Sequence, residues 1–495
     1  MEETSKTDEL KRLDSIPHDE METLMMKASQ DPWRQNYHIQ PVAGHLGAPA
    51  AFVHNRGVYH LFYEWTPFDG PGGIRYWYHV TAENLAVFNN RGVKLRPDTI
   101  YDSHGALAGS AFVVDDTVNI AYSGSHMTEA GRVIPNQLQA ALNEHFRVRK
   151  DPAPIVTGPP EGFTDNFRHP KIWEEDDGVF YMLAGAQTQT DYGRAVVYAA
   201  GVSRSFKYQG ELRTDLDQFG FMWEHPDFFT IDGSDVFAFS PHGLDKYRYS
   251  YWNARQSGYI TGRLYRGTLV MDHGEFHEFD HGFDFYAPKT AIGENGETIL
   301  IASMSIEETD YPTENQGWSG CMTVPRVMTL AQGRIRQNPV ADLEKLRYDG
   351  ISAEGYFNHF PRKMKDFYGD CYELIIDINE NNASEIFINL RMNRREETLL
   401  IYNTESRLFT LDIEFSGKLP GNVDGTKRSV ELEEDLRQLR IYMDKSSIEI
   451  FINEGEAVMS SRIFPGKRAQ GVEMSTEIGD CYVSMTQYRL KSFEN

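Results

Sequence analysis

Five times between Phe52 and Ile301 the chain repeats one theme: an apolar strand, a tight polar turn and a second apolar strand. Phe52-Val-His-Asn-Arg-Gly57 runs into Val58-Tyr-His-Leu-Phe-Tyr63, and Phe112-Val-Val-Asp-Asp-Thr117 into Val118-Asn-Ile-Ala-Tyr122. Ile172 to Gly178 leads into Val179-Phe-Tyr-Met-Leu183, Phe228 to Gly233 into Val236-Phe-Ala-Phe239, and Ala291 to Gly296 into Thr298-Ile-Leu-Ile301. Turn chemistry and strand composition make each a β-hairpin. Gly57 and Gly178 are 121 residues apart, two periods of about sixty, while Gly178 to Gly233 is 55 and Gly233 to Gly296 is 63. A unit recurring at such a period cannot bury its apolar face alone and stacks on its neighbours. Five of them in one domain predict a five-bladed β-propeller.

A length of 495 residues leaves room for a second core. Residues 1–30 read as a helical lead-in, with Met- and Glu-rich Glu20–Ala28 apolar at roughly helical spacing, a clasp on the body. The propeller is expected over 31–340. A short helical linker, 341–354, follows Arg336-Gln-Asn-Pro-Val340. From 355 to 495 alternating strands such as Cys371–Asp377 and Ser447–Ile452 are separated by turns such as Glu380-Asn-Asn-Ala383 and Pro420-Gly-Asn-Val-Asp-Gly425. That pattern predicts an antiparallel β-sandwich. The fold class expected is all-β, a five-bladed β-propeller followed by a C-terminal β-sandwich.

A net charge of −24 excludes nucleic acid and anionic membranes as partners, since both demand a basic face. No apolar run reaches membrane-spanning length, and Met1–Pro17 lacks the apolar core of a signal peptide. Cys321, Cys371 and Cys481 are an odd count without metal spacing, read as free thiols of a cytoplasmic protein. The aromatic content of 13% suits half-buried strands and a sugar-stacking cleft. The expected partner is a small-molecule sugar, with no cofactor. The sequence does not fix an oligomeric state.

Chemistry is concentrated in Phe221-Met-Trp-Glu-His-Pro-Asp227. Glu224, between Trp223 and His225-Pro226, sits in a partly apolar setting that raises a carboxyl pKa and suits a general acid. Glycoside hydrolysis needs a second carboxyl group beside it.

Several long stretches carry a family resemblance. They include His38-Ile-Gln-Pro41, Tyr59-His-Leu-Phe-Tyr63, Tyr101-Asp-Ser-His-Gly-Ala-Leu-Ala-Gly-Ser110, Phe167-Arg-His-Pro170, Trp223-Glu224 and Ser240-Pro-His-Gly-Leu244. Further on come Phe285-Tyr-Ala-Pro288, Asp310-Tyr-Pro-Thr313, Gly317-Trp318, Asp444-Lys-Ser-Ser-Ile-Glu-Ile-Phe-Ile452 and Ser460-Ser-Arg-Ile-Phe-Pro465. From about residue 30 to 490 the chain resembles family 32 of the glycoside hydrolases, the β-fructofuranosidases or invertases, and in particular the bacterial sucrose-6-phosphate hydrolases. The resemblance implies a propeller–sandwich fold and an ancestral hydrolysis of β-fructofuranosides.

It also implies three catalytic carboxylates, of which one is present. Where the family has Asn-Asp-Pro-Asn-Gly, this chain has Gly47-Ala48-Pro49-Ala50-Ala51, so Ala48 occupies the nucleophile position. The family's Arg-Asp-Pro, whose Asp holds sugar hydroxyls in the transition state, is Arg168-His169-Pro170. The acid/base survives as Glu224, followed by His225. Among implied sugar contacts, the family Gln is Glu64, Trp-Gly-His is Trp77-Tyr78-His79, and Ser-Gly-Ser is Ala108-Gly109-Ser110. Arg168 is a further sugar-contact or structural cation, Trp77 a stacking or merely packing aromatic, and Arg75 and Lys289 phosphate partners. Alanine can neither attack carbon nor stabilise an oxocarbenium ion, and imidazole offers at most one acceptor.

Neighbouring substitutions at Gly47, Ala50 and Ala51 point to natural divergence rather than a designed knock-out. His169, His225, His45 and His242 with Glu224 raise a metal-site reading, but their spacing is no metal motif and no metal is expected. Three functions remain: a degenerate member that binds a fructosyl sugar or sugar phosphate with little or no turnover; an enzyme of altered chemistry in which Glu224 works with water, Glu64 or a His-bound metal; and a non-catalytic interaction protein. The first is favoured.

Overall fold

The computed structural model describes residues 10–492 except 69, 129–130 and 202–204. Residues 1–9 of the expected lead-in therefore lie outside the described residues. Each expected hairpin forms, and two of its turns show why. Arg56 and Gly57 have φ of 52° and 76°, and Asp232 and Gly233 have 50° and 80°. Two successive left-handed residues make the turn whose twist matches that of the flanking strands.

The hairpins grow into five antiparallel sheets, each opening on an inner strand: Gly44–Asn55, Ala106–Val114, Phe163–Glu174, Met222–Ile231 and Tyr286–Ile292. We number the blades 1 to 5 in that order. The ring closes where Trp318–Ser319 pairs in parallel with Gly44–His45. Blades bury apolar faces against one another, as where Leu183 and Val197 of blade 3 meet Trp223, Phe237 and Phe239 of blade 4. The helix His18–Ser29 packs Ala28 and Leu24 against Trp318, covering the closure as the expected clasp.

Four inner strands share a feature that positions the site. Ala48-Pro49, His169-Pro170, His225-Pro226 and Ala287-Pro288 each fall at a break in register with the second strand. At these prolines the inner strand pairs on one side only, so a residue without a donor is tolerated there at a bulge. His169, His225 and Ala287 take left-handed φ of 63°, 49° and 55°. Such conformations cost of order 1–3 kcal/mol each and gather at functional sites.

After a 3₁₀ helix at Ala341–Leu346, two six-stranded sheets form the sandwich around Leu374, Ile388, Leu400, Ile441, Ile450 and Met474. Its first strand, Arg347–Phe357, lies largely within the expected linker. This edge strand pairs with Cys481–Leu490 and alternates only from Ile351 onward, with Ile351 and Ala353 packed on the core and Ser352 and Glu354 in solvent.

A buried charge network joins the two domains. His38 bonds Asp444 through Nδ1 at 2.9 Å and Glu449 through Nε2 at 3.0 Å. Arg326 of blade 5 reaches Glu449 at 2.7 Å and Asp280 at 3.1 Å. Burial alone would depress His38, but its bonds to Asp444 and Glu449 outweigh that and hold it up at about 9. A group raised on folding stabilises fully below its unfolded value of about 6.5, and the contribution is lost as pH rises through about 9. Its size is of order 3 kcal/mol. The urea midpoint should therefore fall between pH 7 and 10, with a flatter profile in His38→Asn; equal slopes in both proteins would refute this assignment.

Candidate active site

Trp223 is buried against Phe237 and Phe239, which anchors the start of the blade 4 inner strand and sets Glu224 between blades 3, 4 and 5. Glu224 Oε1 accepts from Arg168 Nε at 2.6 Å, with a second guanidinium nitrogen also in contact. Oε2 meets His242 Nε2 at 3.0 Å, Arg255 Nη1 at 3.4 Å and the Tyr286 hydroxyl. Burial would raise this carboxyl, but Arg168 and His242 outweigh it and hold Glu224 well below the usual carboxylate range. This corrects the expectation, drawn from its sequence neighbours, of a raised carboxyl pKa.

Glu64, on the second strand of blade 1, behaves oppositely. Its Oε1 accepts from the Ala108 amide at 2.5 Å and its Oε2 lies 3.4 Å from Arg75 Nε. Burial pushes Glu64 up to about 7, against the pull of Arg75 and of the Ala108 amide. A Cβ on Gly47 would sit 3.4 Å from Glu64 Oε2, so the bare backbone at 47 leaves this carboxyl room above the Ala48 strand.

The two carboxyls are ends of one arc of alternating charge. Glu64 meets Arg75, Arg75 meets Glu307 at 2.6 Å, Glu307 meets Arg255 at 3.0 Å, and Arg255 and Arg168 share Glu224. Arg255 and Glu307 lie in loops outside the repeats, and Tyr286 sits in a motif stretch without being singled out. None announced itself in the sequence.

Ala48 is buried in an apolar cluster with Tyr286 and Ala287 and brings no polar atom. His169 and His225 stack with centroids 3.8 Å apart at 14°. Burial lowers both imidazoles well below their ordinary value, so both are neutral. The His225 amide donates to His169 Nδ1 at 3.2 Å, which leaves the His169 proton on Nε2. His169, His225 and Glu224 can offer atoms within 4.8 Å of one another, as a metal would require. They do not fit one: His169 Nε2 holds its proton, and both Glu224 oxygens face donors. His45 lies apart, bonded to Ser319 Oγ at 2.9 Å.

Other expected contacts are engaged within the scaffold. Trp77 is fully buried against Phe62 and Tyr122, its indole donating to the Leu107 carbonyl at 3.3 Å, so no face is free to stack on a sugar. Ser110 Oγ accepts from the Ile172 amide at 3.0 Å, pinning blade 3 to blade 2. At Gly109 a Cβ would stand 2.0 Å from the Ala121 carbonyl, which fixes glycine there. Lys289 is buried beside the Lys171–Asp227 pair rather than open to a phosphate.

Residues 38–339 match the family model described as the glycosyl hydrolases family 32 N-terminal domain, and residues 343–490 match the family 32 C terminal. The chain is 39% identical to a sucrose-6-phosphate hydrolase of Staphylococcus xylosus, covering 99% of both chains. It is 34% identical to one of Bacillus subtilis, covering 90% of this chain and 92% of the relative. Among solved structures it is similar to sucrose-6-phosphate hydrolase from Lactobacillus gasseri, with a TM-score of 0.91 and 26% identity over 98% of both chains. A Bombyx mori GH32 β-fructofuranosidase gives a TM-score of 0.83 and 29% identity over 96% of this chain and 98% of that one. The chain belongs to family 32 of the glycosyl hydrolases.

Proposed function

We propose that this protein serves carbohydrate metabolism as a sucrose-6-phosphate hydrolase-like member that binds a fructosyl sugar or sugar phosphate but turns it over poorly or not at all. The observation that carries the reading is the contact of Glu224 with two guanidinium groups, Arg168 and Arg255, beside an apolar Ala48. A retaining glycosidase needs a carboxylate to attack carbon and a carboxylic acid to protonate the leaving oxygen. Ala48 supplies no nucleophile, and a carboxylate held ionised by Arg168 has no proton to give. At the third position His169 presents an Nε2–H donor where the family aspartate accepts. Loss of such groups lowers rates by about 10⁴ to 10⁶.

Binding is a smaller demand. An aspartate-to-alanine variant of the Bombyx mori β-fructofuranosidase is described in complex with sucrose. Here the His169 edge with Arg168 and Arg75 offers donors to sugar oxygens. A reducing cytoplasm suits the three free thiols.

Glu64 favours a second reading. With a pKa of about 7 it is protonated in about half of the molecules at neutral pH, while Arg168 and His242 hold Glu224 low. In that mechanism Glu224 takes a proton from water as it attacks the anomeric carbon, and Glu64 protonates the departing oxygen.

Release of reducing sugar from sucrose, sucrose 6-phosphate and short fructans separates the readings, using the purified protein, Glu224→Ala and Glu64→Gln. Equal background in all three, with calorimetric binding of at least one of these sugars, is the expected result. Turnover that disappears in Glu224→Ala overturns the impaired reading. If it also disappears in Glu64→Gln and falls as pH rises through about 7, the exchanged mechanism holds. No heat with any of these sugars leaves the fold as an interaction scaffold.

A further inference from the structure

Where blades 4 and 5 meet the sandwich there is a cavity of about 250 Å³ that shares no residue with the charge arc. Its mouth is formed by Tyr247 and Tyr249, 63% and 44% exposed. They stand on a turn closed by reciprocal backbone hydrogen bonds between Tyr247 and Ser250, at 3.1 and 2.8 Å. A rigid turn thus holds two aromatic side chains in water at the entrance to a cavity. Aromatic faces so placed are costly to leave exposed and are a usual means of gripping the apolar face of a small ligand.

The interior chemistry narrows the ligand class. Glu278 accepts from the Tyr251 amide at 3.3 Å; burial, aided by Asp280, pushes its carboxyl up to about 8, so at neutral pH it both donates and accepts. His277 and His281 are lowered by burial and are neutral, each with one donor and one acceptor. Arg334 is neutralised across the domain boundary by Glu433. The rim sets Arg248 and Arg334 against Glu431, Glu433 and Glu456, so it offers an anion no net attraction, and a purely apolar ligand would strand the buried polar groups. Aromatic surface with paired donors and acceptors suits a neutral, polyhydroxylated molecule. The volume lies below the roughly 300–1,000 Å³ of pockets for drug-sized ligands, which limits it to one or two sugar units.

We propose that this junction cavity is a second, non-catalytic carbohydrate site, taking one or two units of a neutral saccharide between the Tyr247–Tyr249 turn and Glu278. The loop that bears the turn ends on His242 and Arg255, both of which contact Glu224. One segment therefore touches both sites.

Calorimetric titration of the full chain with 1-kestose, in a Glu224→Ala background that removes any turnover, tests the proposal. Two sites per chain are expected. Adding Tyr247→Ala and Tyr249→Ala should weaken one of them by about tenfold or more while leaving the melting temperature unchanged, since both side chains are exposed. Adding Arg168→Ala instead should weaken the other. If the propeller site binds no sugar, a single site remains and the tyrosine variant loses it, so failure of the functional reading stays distinct from failure of this one. A single site that Arg168→Ala abolishes, a two-site isotherm indifferent to the tyrosines, or no binding at all overturns the proposal.

Discussion

Replacing Arg326 by methionine should destabilise the protein by about 3–5 kcal/mol, the usual effect of stranding buried charge. Arg326 is fully buried and spends one terminal nitrogen on Asp280 and Gln337, each at 3.1 Å, and the other on Glu449 at 2.7 Å and Ser460 at 2.6 Å. Methionine fills comparable volume but leaves two carboxylates without their cation. His38 alone would then face Asp444 and Glu449, and nothing would replace the charge beside Asp280. Urea denaturation followed by tryptophan fluorescence reads the loss. Combining Arg326→Met with Glu449→Gln should cost less than the two separate losses added, because the second change removes a charge the first had stranded. A midpoint shift worth less than about 1 kcal/mol would show that the network does not hold the domains together.

That network also explains what the family resemblance measured. His38-Ile-Gln-Pro41 and Asp444 to Ile452 were legible as family stretches, yet they contain His38, Asp444 and Glu449, which clamp sandwich to propeller. They identify a scaffold. The hairpins were legible because their information is local, as in Arg56-Gly57, where two residues set the turn. The ionisation of Glu224 was not legible, because its neighbours in sequence, Trp223 and Pro226, do not decide it. Arg168, His242, Arg255 and Tyr286 arrive from two strands, a strand end and a loop, and only closure of the ring brings them together. Trp77 misleads for a related reason: a motif position says which blade a ring belongs to and not which way it faces.

One signal was in the sequence and went unused. Ala48-Pro49, His169-Pro170, His225-Pro226 and Ala287-Pro288 place a proline at the same point of four inner strands. A proline recurring inside strands argues for bulges on an exposed edge, and hence for the face on which a site is built. On that face His169, His225 and Ala287 take left-handed φ.

That backbone makes the introduction of carboxylates an informative experiment. The double variant Ala48→Asp/His169→Asp is expected to raise sucrose hydrolysis by about a hundredfold or more over the unmodified protein, out of the 10⁴ to 10⁶ that such groups command. His169 already sits at φ 63°, a conformation aspartate tolerates better than most residues. Its backbone amide donates a hydrogen bond to Ser123 Oγ at 2.8 Å, which does not depend on the side chain. A carboxylate there can accept the His225 amide that His169 Nδ1 accepts now. At 48 the replaced methyl lies beside Tyr286, whose hydroxyl already contacts Glu224, so the new carboxylate enters the neighbourhood of the acid. Two added negative charges raise the pKa of Glu224 against the pull of Arg168, returning to it a proton it can donate. Nucleophile and acid are thus restored together, and each single variant should gain far less than the pair. The pH–rate profile should show a descending limb set by the reprotonated Glu224, and Glu224→Ala should abolish the gain. A folded double variant that hydrolyses no faster than the parent would show that carboxylates at 48 and 169 do not limit turnover.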